Sequence, residues 1–197
     1  MKTIVCISGT SRPGNFTSRA LRVVADELEV KGAEPQTFDA RELQLAFPGH
    51  GTTDDARRLQ EAVHSGAGVV LATPEYHGAF SAMTKLILEN MGFPSALKGK
   101  PVALLGVAAG RIGAIKSLEQ LRATCAHTGA LVLPGAVSIA GVQKAFDEEG
   151  RCTDEEVEKA LRKAAHSLLE FIEEYVCPKH TLEAMVRDEG RPWTASV

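Results

Sequence analysis

The sequence has 197 residues, 44% hydrophobic and 24% charged, with a formal net charge of -3. That length suits one domain of ordinary size, and the balance excludes a largely disordered chain, a collagen-like fibre and a disulfide-stapled mini-protein. No strongly basic field exists to hold a nucleic-acid backbone, and aromatics at 5% give base-stacking platforms little material.

The chain opens on an apolar, β-branched run, Thr3 to Ile7, that breaks at Ser8-Gly9-Thr10-Ser11. This reads as a buried strand running into a loop, and it is too short for a signal-peptide core or a membrane span. Helical periodicity follows from Thr17 or Ser18 to Lys31, with Leu21, Val24, Ala25 and Leu28 on one face and Gly32 as a stop. Pro35 to Phe38 predicts a short second strand, Arg41 to Thr53 a loop, and Asp54 to His64 a helix. Gly68 to Ala72 is a strongly apolar strand, followed by a loop from Thr73 to Gly78 and a helix from Ser81 to Asn90. Pro101 to Leu105 is the next buried strand, then a loop from Gly106 to Gly113 and a helix from Ala114 to Cys125. Ala130 to Leu133 predicts a fifth strand with a long loop after it. Thr153 is an N-cap candidate with Glu156 completing a capping box, and its helix runs to Tyr175.

Strands alternate with helices, and the best strands are continuously apolar. Both features predict an α/β domain built on a parallel sheet with helices on both faces. It is expected to occupy residues 1–175, leaving 176–197 as a C-terminal extension. The extension has a short helical possibility from Leu182 to Val186, and its Trp193 can dock on the domain or on a partner subunit. Cys6, Cys125, Cys152 and Cys177 form no CxxC pattern and read as free thiols. The six histidines have no compact ligand spacing, so no metal is expected.

In an open α/β sheet, ligands bind beyond the carboxyl ends of the strands. Three loops there carry chemistry. Gly9 to Ser18 supplies hydroxyls, a guanidinium and amides at a helix N-terminus, the groups a phosphate monoester needs. It matches neither GxGxxG nor GxxxxGK[ST], which argues against a dinucleotide fingerprint and a triphosphate loop; its simpler reading is a polar turn with Thr17 or Ser18 as a cap. Thr73 to Gly78 can present backbone groups, Tyr76 and His77 to a flat heteroaromatic ring, or can be an ordinary loop with Tyr76 at a subunit contact. Gly106 to Gly113 has small side chains that permit close approach, with Arg111 either holding an anionic or carbonyl-bearing group or simply solvated.

On these residues the chain resembles the NAD(P)H-dependent FMN reductases, which have a flavodoxin-like fold. The family's Gly-Ser-x-Arg-x-x-Ser-x-Asn stretch is matched by Gly9-Thr10-Ser11-Arg12-Pro13-Gly14-Asn15-Phe16-Thr17, with Asn15 in place of Ser and Thr17 in place of Asn. Its Pro-Glu-Tyr-Asn-Gly loop stands as Pro74-Glu75-Tyr76-His77-Gly78, and the Lys-Asn-x-x-Asp pattern that follows is reduced to Lys85 with Leu86. The resemblance implies a five-stranded doubly wound sheet of order 2-1-3-4-5. It implies an FMN phosphate at Thr10, Ser11, Arg12, Asn15, Thr17 and Ser18. The isoalloxazine would lie against Pro74, Glu75, Tyr76, His77 and Gly78, facing Ala109, Gly110 and Arg111. It also implies NADPH or NADH as donor, a small acceptor such as a quinone, azo compound or free flavin, and a homodimer or homotetramer in which a neighbouring subunit helps cover the flavin. Tyr76 and His77 are the candidates for proton donation to a quinone. A cytoplasmic protein with no nucleic-acid partner and no membrane insertion is expected. The alternatives are a flavin-binding electron-transfer or redox-sensing protein with little NAD(P)H turnover, and a non-flavin α/β enzyme or phosphosugar module. The second of these lacks GxSxG, Walker A and HExxH signatures.

Overall fold

A computed structural model describes residues 2–188. Apolar strands and amphipathic helices alternate as β1 (Thr3–Ser8), α1 (Phe16–Val30), β2 (Glu34–Asp39), α2 (Asp54–Ser65), β3 (Gly68–Tyr76), β4 (Ala79–Phe80), α3 (Ala82–Glu89), β5 (Pro101–Val107), α4 (Ile115–His127), β6 (Leu131–Val132), β7 (Val137–Ile139), α5 (Glu155–Phe171) and α6 (Cys177–Asp188). The main strands run parallel in the order β2-β1-β3-β5-β6, with β7 beside β5 and β4 folded back antiparallel on β3.

Strand alternation sends successive side chains to opposite faces. Ile4, Cys6, Val70, Ala72, Ala103 and Leu105 therefore pack with Leu21, Val24 and Leu28 of α1 and Leu161, Ala165 and Leu168 of α5. Val5, Ile7, Val69, Leu71, Val102 and Leu104 pack on the other face with Leu59, Ile87, Leu118 and Leu121 of α2, α3 and α4. The expected doubly wound sheet is present, and its first, third and fourth main strands deliver the three polar loops to one edge.

Four local expectations are corrected. The stretch after Ala72 is not a loop: β3 continues through Thr73 and Pro74, which pair with Gly106 and Val107 of β5 so that the third loop starts after Val107, and through Glu75 and Tyr76, which pair with Phe80 and Ala79. The fifth strand is not one run. Pro134 and Gly135 interrupt it, so β5 pairs with Leu131–Val132, then again with Val137–Ile139. The gap opens a cleft of about 460 Å³ against α5, where Lys163 and Ser167 face it. The cap of α5 is Asp154, whose carboxylate accepts from the amides of Glu156 and Val157, rather than Thr153. The C-terminal helical stretch is longer than Leu182–Val186. From α5 the chain passes through a π-helical turn, Ile172–Val176, into α6. Pro178 has no N–H to offer the carbonyl four residues back, which suits a break in the ladder there. Trp193 lies outside the described residues. Among those residues no helix is long and apolar enough to cross a membrane.

Candidate functional site

The edge of the sheet where β1, β3 and β5 end is held together by backbone and buried hydroxyl groups. Asn15 is the N-cap of α1: its side-chain oxygen accepts from the Ser18 amide at 2.7 Å, and its NH₂ donates to the Arg12 carbonyl at 2.8 Å. Both ends of that side chain thus close the loop on itself. The amides of Phe16 and Thr17, in the first turn of α1, have no helical acceptor. Thr10 is 2% exposed, and its hydroxyl oxygen accepts from the Arg12 amide at 3.3 Å. An hydroxyl that accepts still has a proton to give. Ser11 and Arg12 are exposed.

Ser18 behaves differently. Its hydroxyl lies 2.8 Å from that of Ser8 and donates to Asp39 at 3.4 Å, so it is engaged at the end of β2. Burial pulls the Asp39 carboxyl up, but the Arg41 side chain, backbone amide and charge, with the Ser18 hydroxyl, outweigh it and hold the group below the usual carboxylate range. Thr17 is 1% exposed on the buried side of α1.

The second loop is a tight hairpin. His77 and Gly78 have φ of 52° and 74°, the sign a two-residue type I′ turn requires at both central positions. Histidine is among the few non-glycine residues enriched there. Tyr76 is 42% exposed, so its ring is open to a ligand. The Glu75 side chain points away from this surface. Its Oε2 accepts from the Ser117 amide in the first turn of α4 at 3.0 Å, while the Gly78 carbonyl accepts from Gln120 Nε2 at 2.9 Å.

The first two loops are locked to one another. Ser81 and Thr84 both donate their hydroxyls to the Gly9 carbonyl, the latter at 3.0 Å. Thr84 Oγ1 also lies 2.9 Å from Thr73 Oγ1, and the Ser81 amide donates to Thr73 at 3.1 Å. All three hydroxyl residues are buried, and among the described residues no buried side-chain polar atom lacks a partner. Sequence reading missed Ser81 and Thr84. The only signal was serine ahead of an apolar helical run, which reads as an ordinary cap.

The third loop is anchored from behind. The Ala108 amide donates to Ile139, while the amides of Val142 and Gly141 donate to Ala108 and Gly110. Gln143 reaches the Ala109 carbonyl at 3.4 Å. Ala109, Gly110 and Arg111 are left exposed. The segment after β7, read only as a long loop, therefore supports the site. It continues to Phe146, whose ring is tilted against that of Phe16 at 6.2 Å between centroids, and to Asp147, whose carbonyl accepts from Arg19.

The arrangement brings to one sheet edge a set of donors (first-turn amides, Thr10, Ser11, Arg12), a hairpin with an exposed tyrosine and a small-residue loop. It leaves Asn15, Ser18 and the Glu75 carboxylate occupied by protein partners. Among the described residues there is no cluster of His, Cys, Asp or Glu able to hold a metal.

Comparison with known proteins gives the family. The family model described as NADPH-dependent FMN reductase matches residues 2–144. An NADPH azoreductase of Bacillus sp. (strain OY1-2) is 34% identical over 150 residues, 75% of this chain and 82% of that protein. An NAD(P)H-dependent FMN reductase of Pseudomonas aeruginosa is 26% identical over 175 residues, 84% of this chain and 92% of its own length. Among solved structures, a flavoenzyme NAD(P)H:(acceptor) oxidoreductase of Paracoccus denitrificans superposes with a TM-score of 0.74 at 22% identity, covering 89% of this chain and 99% of that one. An archaeal flavodoxin superposes with a TM-score of 0.60 at 12% identity, covering 88% of this chain and all of its own, which speaks to fold alone. The chain belongs to the NADPH-dependent FMN reductase family and is an oxidoreductase that uses FMN and NAD(P)H.

Proposed function

We propose that this enzyme passes electrons from NAD(P)H to a small, flat acceptor such as a quinone, an azo compound or free flavin, with donor and acceptor taking turns at one open face. The observation that carries this is exposure on two of the loops: Tyr76 of the hairpin is 42% exposed, and in the third loop Ile112 is 76% exposed and Arg111 is exposed too. FMN, when bound, supplies the two-electron redox chemistry between nicotinamide and acceptor. The chain's own residues bind and orient. The amides of Phe16 and Thr17, the hydroxyls of Thr10 and Ser11, and the Arg12 guanidinium hold the phosphate. The backbone of Pro74 to Gly78 lies along the ring, and its amides are suited to stabilise negative charge there. Ala109 and Gly110 let the ring approach closely, and Arg111 steers an anionic donor or acceptor. Tyr76 and His77 are the groups at hand to give a proton to a reduced quinone.

Residues 1–175 form the FMN-binding domain in this reading, with 176–197 as a C-terminal extension that packs on the domain or on a partner subunit. The protein acts as a homodimer or homotetramer in the cytoplasm. Support for assembly comes from two exposed phenylalanines, Phe47 and Phe93, on the α2–α3 side. The segment before Phe47 is tied to the end of α3 through Asn90, whose side chain donates to the Ala46 carbonyl and whose backbone carbonyl accepts from Gln60 of α2. The decisive experiment mixes FMN-loaded protein anaerobically with NADPH or NADH, then offers an azo dye, a quinone and free FMN in turn. Bleaching by a nicotinamide, and recovery of colour with at least one acceptor, is the expected result. A flavin that no nicotinamide bleaches would defeat the proposal.

A further inference from the structure

We propose that Glu75 is a positioning residue that fixes the gap between the ring hairpin and the third loop, by capping a helix to which it does not belong. The inference rests on the reading of Pro74 to Gly78 as the ring-binding hairpin.

Helices α1, α2, α3 and α5 are each capped by the side chain of their own N-cap residue: Asn15, Thr53, Ser81 and Asp154. Among the described helices that start from a loop, α4 is the exception. Its N-cap is Ala114, which makes no side-chain cap bond. The packing explains why. Ala114 is fully buried, and a Cβ placed on Gly106 would stand 2.7 Å from the Ala114 Cβ, so there is little room for a polar group. The third amide of α4, that of Ser117, is instead taken by the Glu75 carboxylate at 3.0 Å. A negative charge there also suits the positive end of the helix.

The consequence is geometric. Glu75 lies in the strand leading into the ring hairpin, and α4 begins where the third loop ends. One side chain therefore ties the two walls of the ring site. Two more contacts from α4 reach the hairpin tip. Gln120 donates to the Gly78 carbonyl at 2.9 Å, and Lys116 packs so that a Cβ on Gly78 would meet its Cδ at 3.5 Å. The phosphate side has its own tether, the hydroxyl cluster on Gly9, and does not depend on this clasp.

The test titrates flavin-free, full-length protein with FMN and with riboflavin, which lacks the phosphate, following flavin fluorescence. Glu75→Ala is expected to raise both dissociation constants about tenfold, the factor that the loss of one charge-assisted hydrogen bond commonly carries, with their ratio unchanged. Glu75→Gln keeps an accepting oxygen and is expected to stay within about threefold of the parent. Gln120→Ala, at an exposed residue, removes the second clasp and is expected to raise both constants about threefold. Unchanged constants with a lower melting temperature in Glu75→Ala would reduce Glu75 to a cap alone and overturn the proposal. So would a change for FMN without one for riboflavin. If Glu75→Ala does not fold, an unchanged riboflavin constant in Gln120→Ala overturns it equally. Parent protein that binds FMN but shows no ring-dependent spectral change would instead overturn the hairpin reading on which the inference stands.

Discussion

Gly9 stands where the two halves of the site meet, and replacing it with alanine should cost the fold more than one methyl group suggests. A Cβ there would lie 2.1 Å from Thr84 Oγ1 and 2.9 Å from the Ala72 carbonyl oxygen. Neither neighbour yields readily. The Ala72 carbonyl belongs to β3 and already accepts from the Gly9 amide at 2.8 Å, and the Thr84 hydroxyl is fully buried and bonded to the Gly9 carbonyl. Overpacking of this kind costs about 1–3 kcal/mol. A buried polar group pushed off its partner adds about 1–3 kcal/mol. A loss of about 4 kcal/mol is therefore expected. In a chain of this size each kcal/mol moves the melting temperature by about 2–4 °C, so Gly9→Ala should melt about 8–16 °C lower in a calorimetric scan of flavin-free protein. The double variant Gly9→Ala/Thr84→Ala removes the nearest obstacle but leaves the carbonyl, and should be more stable than the sum of the two single effects. A Gly9→Ala protein melting within about 2 °C of the parent would refute the reasoning.

Three further outcomes can be checked. Arg12→Ala should weaken FMN binding by about tenfold or more while leaving riboflavin affinity and the melting temperature unchanged, because the guanidinium is exposed and acts on phosphate. Asp39 has a folded pKa below its unfolded one, so its contribution to stability is present above the unfolded value and disappears as pH falls through the folded one. Urea unfolding at pH 6 and pH 3 should accordingly show a smaller acid loss in Asp39→Asn than in the parent. With a disulfide-exchange reagent at pH 8, the exposed Cys177 should react first and the half-buried Cys152 more slowly. Cys6 and Cys125, whose thiols burial pushes up to about 12, should react only on unfolding.

The sheet was legible because β1, β3 and β5 are continuously apolar, as strands covered on both faces must be. The loops were legible because glycine, proline and hydroxyl residues cluster at the strand ends. What escaped was set by partners distant in sequence. Thr73 to Tyr76 looks like a loop until Gly106 and Val107 pair with its first half and Ala79 and Phe80 fold back on its second. Glu75 reads as a ring contact until the uncapped start of α4 claims its carboxylate. Ser18 directly follows the phosphate motif and reads as a phosphate contact, but Ser8 and Asp39 take its hydroxyl. Ser81 and Thr84 gain their role only because the Gly9 carbonyl arrives from 72 and 75 residues away along the chain. The cap at Asp154 rather than Thr153 is a one-residue shift that either side chain could have supported by sequence alone.

The interruption of the fifth strand bears on how copies of this chain can associate. A sheet edge that is long and flat invites another strand to pair with it, and that is a route to aggregation. Here one edge offers only Leu131–Val132 and Val137–Ile139, separated by Pro134 and Gly135. The other edge is β2, where Pro35 has no N–H to donate and Glu34 and Asp39 carry charge at either end. Both borders discourage an incoming strand, so edge-to-edge stacking of copies is disfavoured.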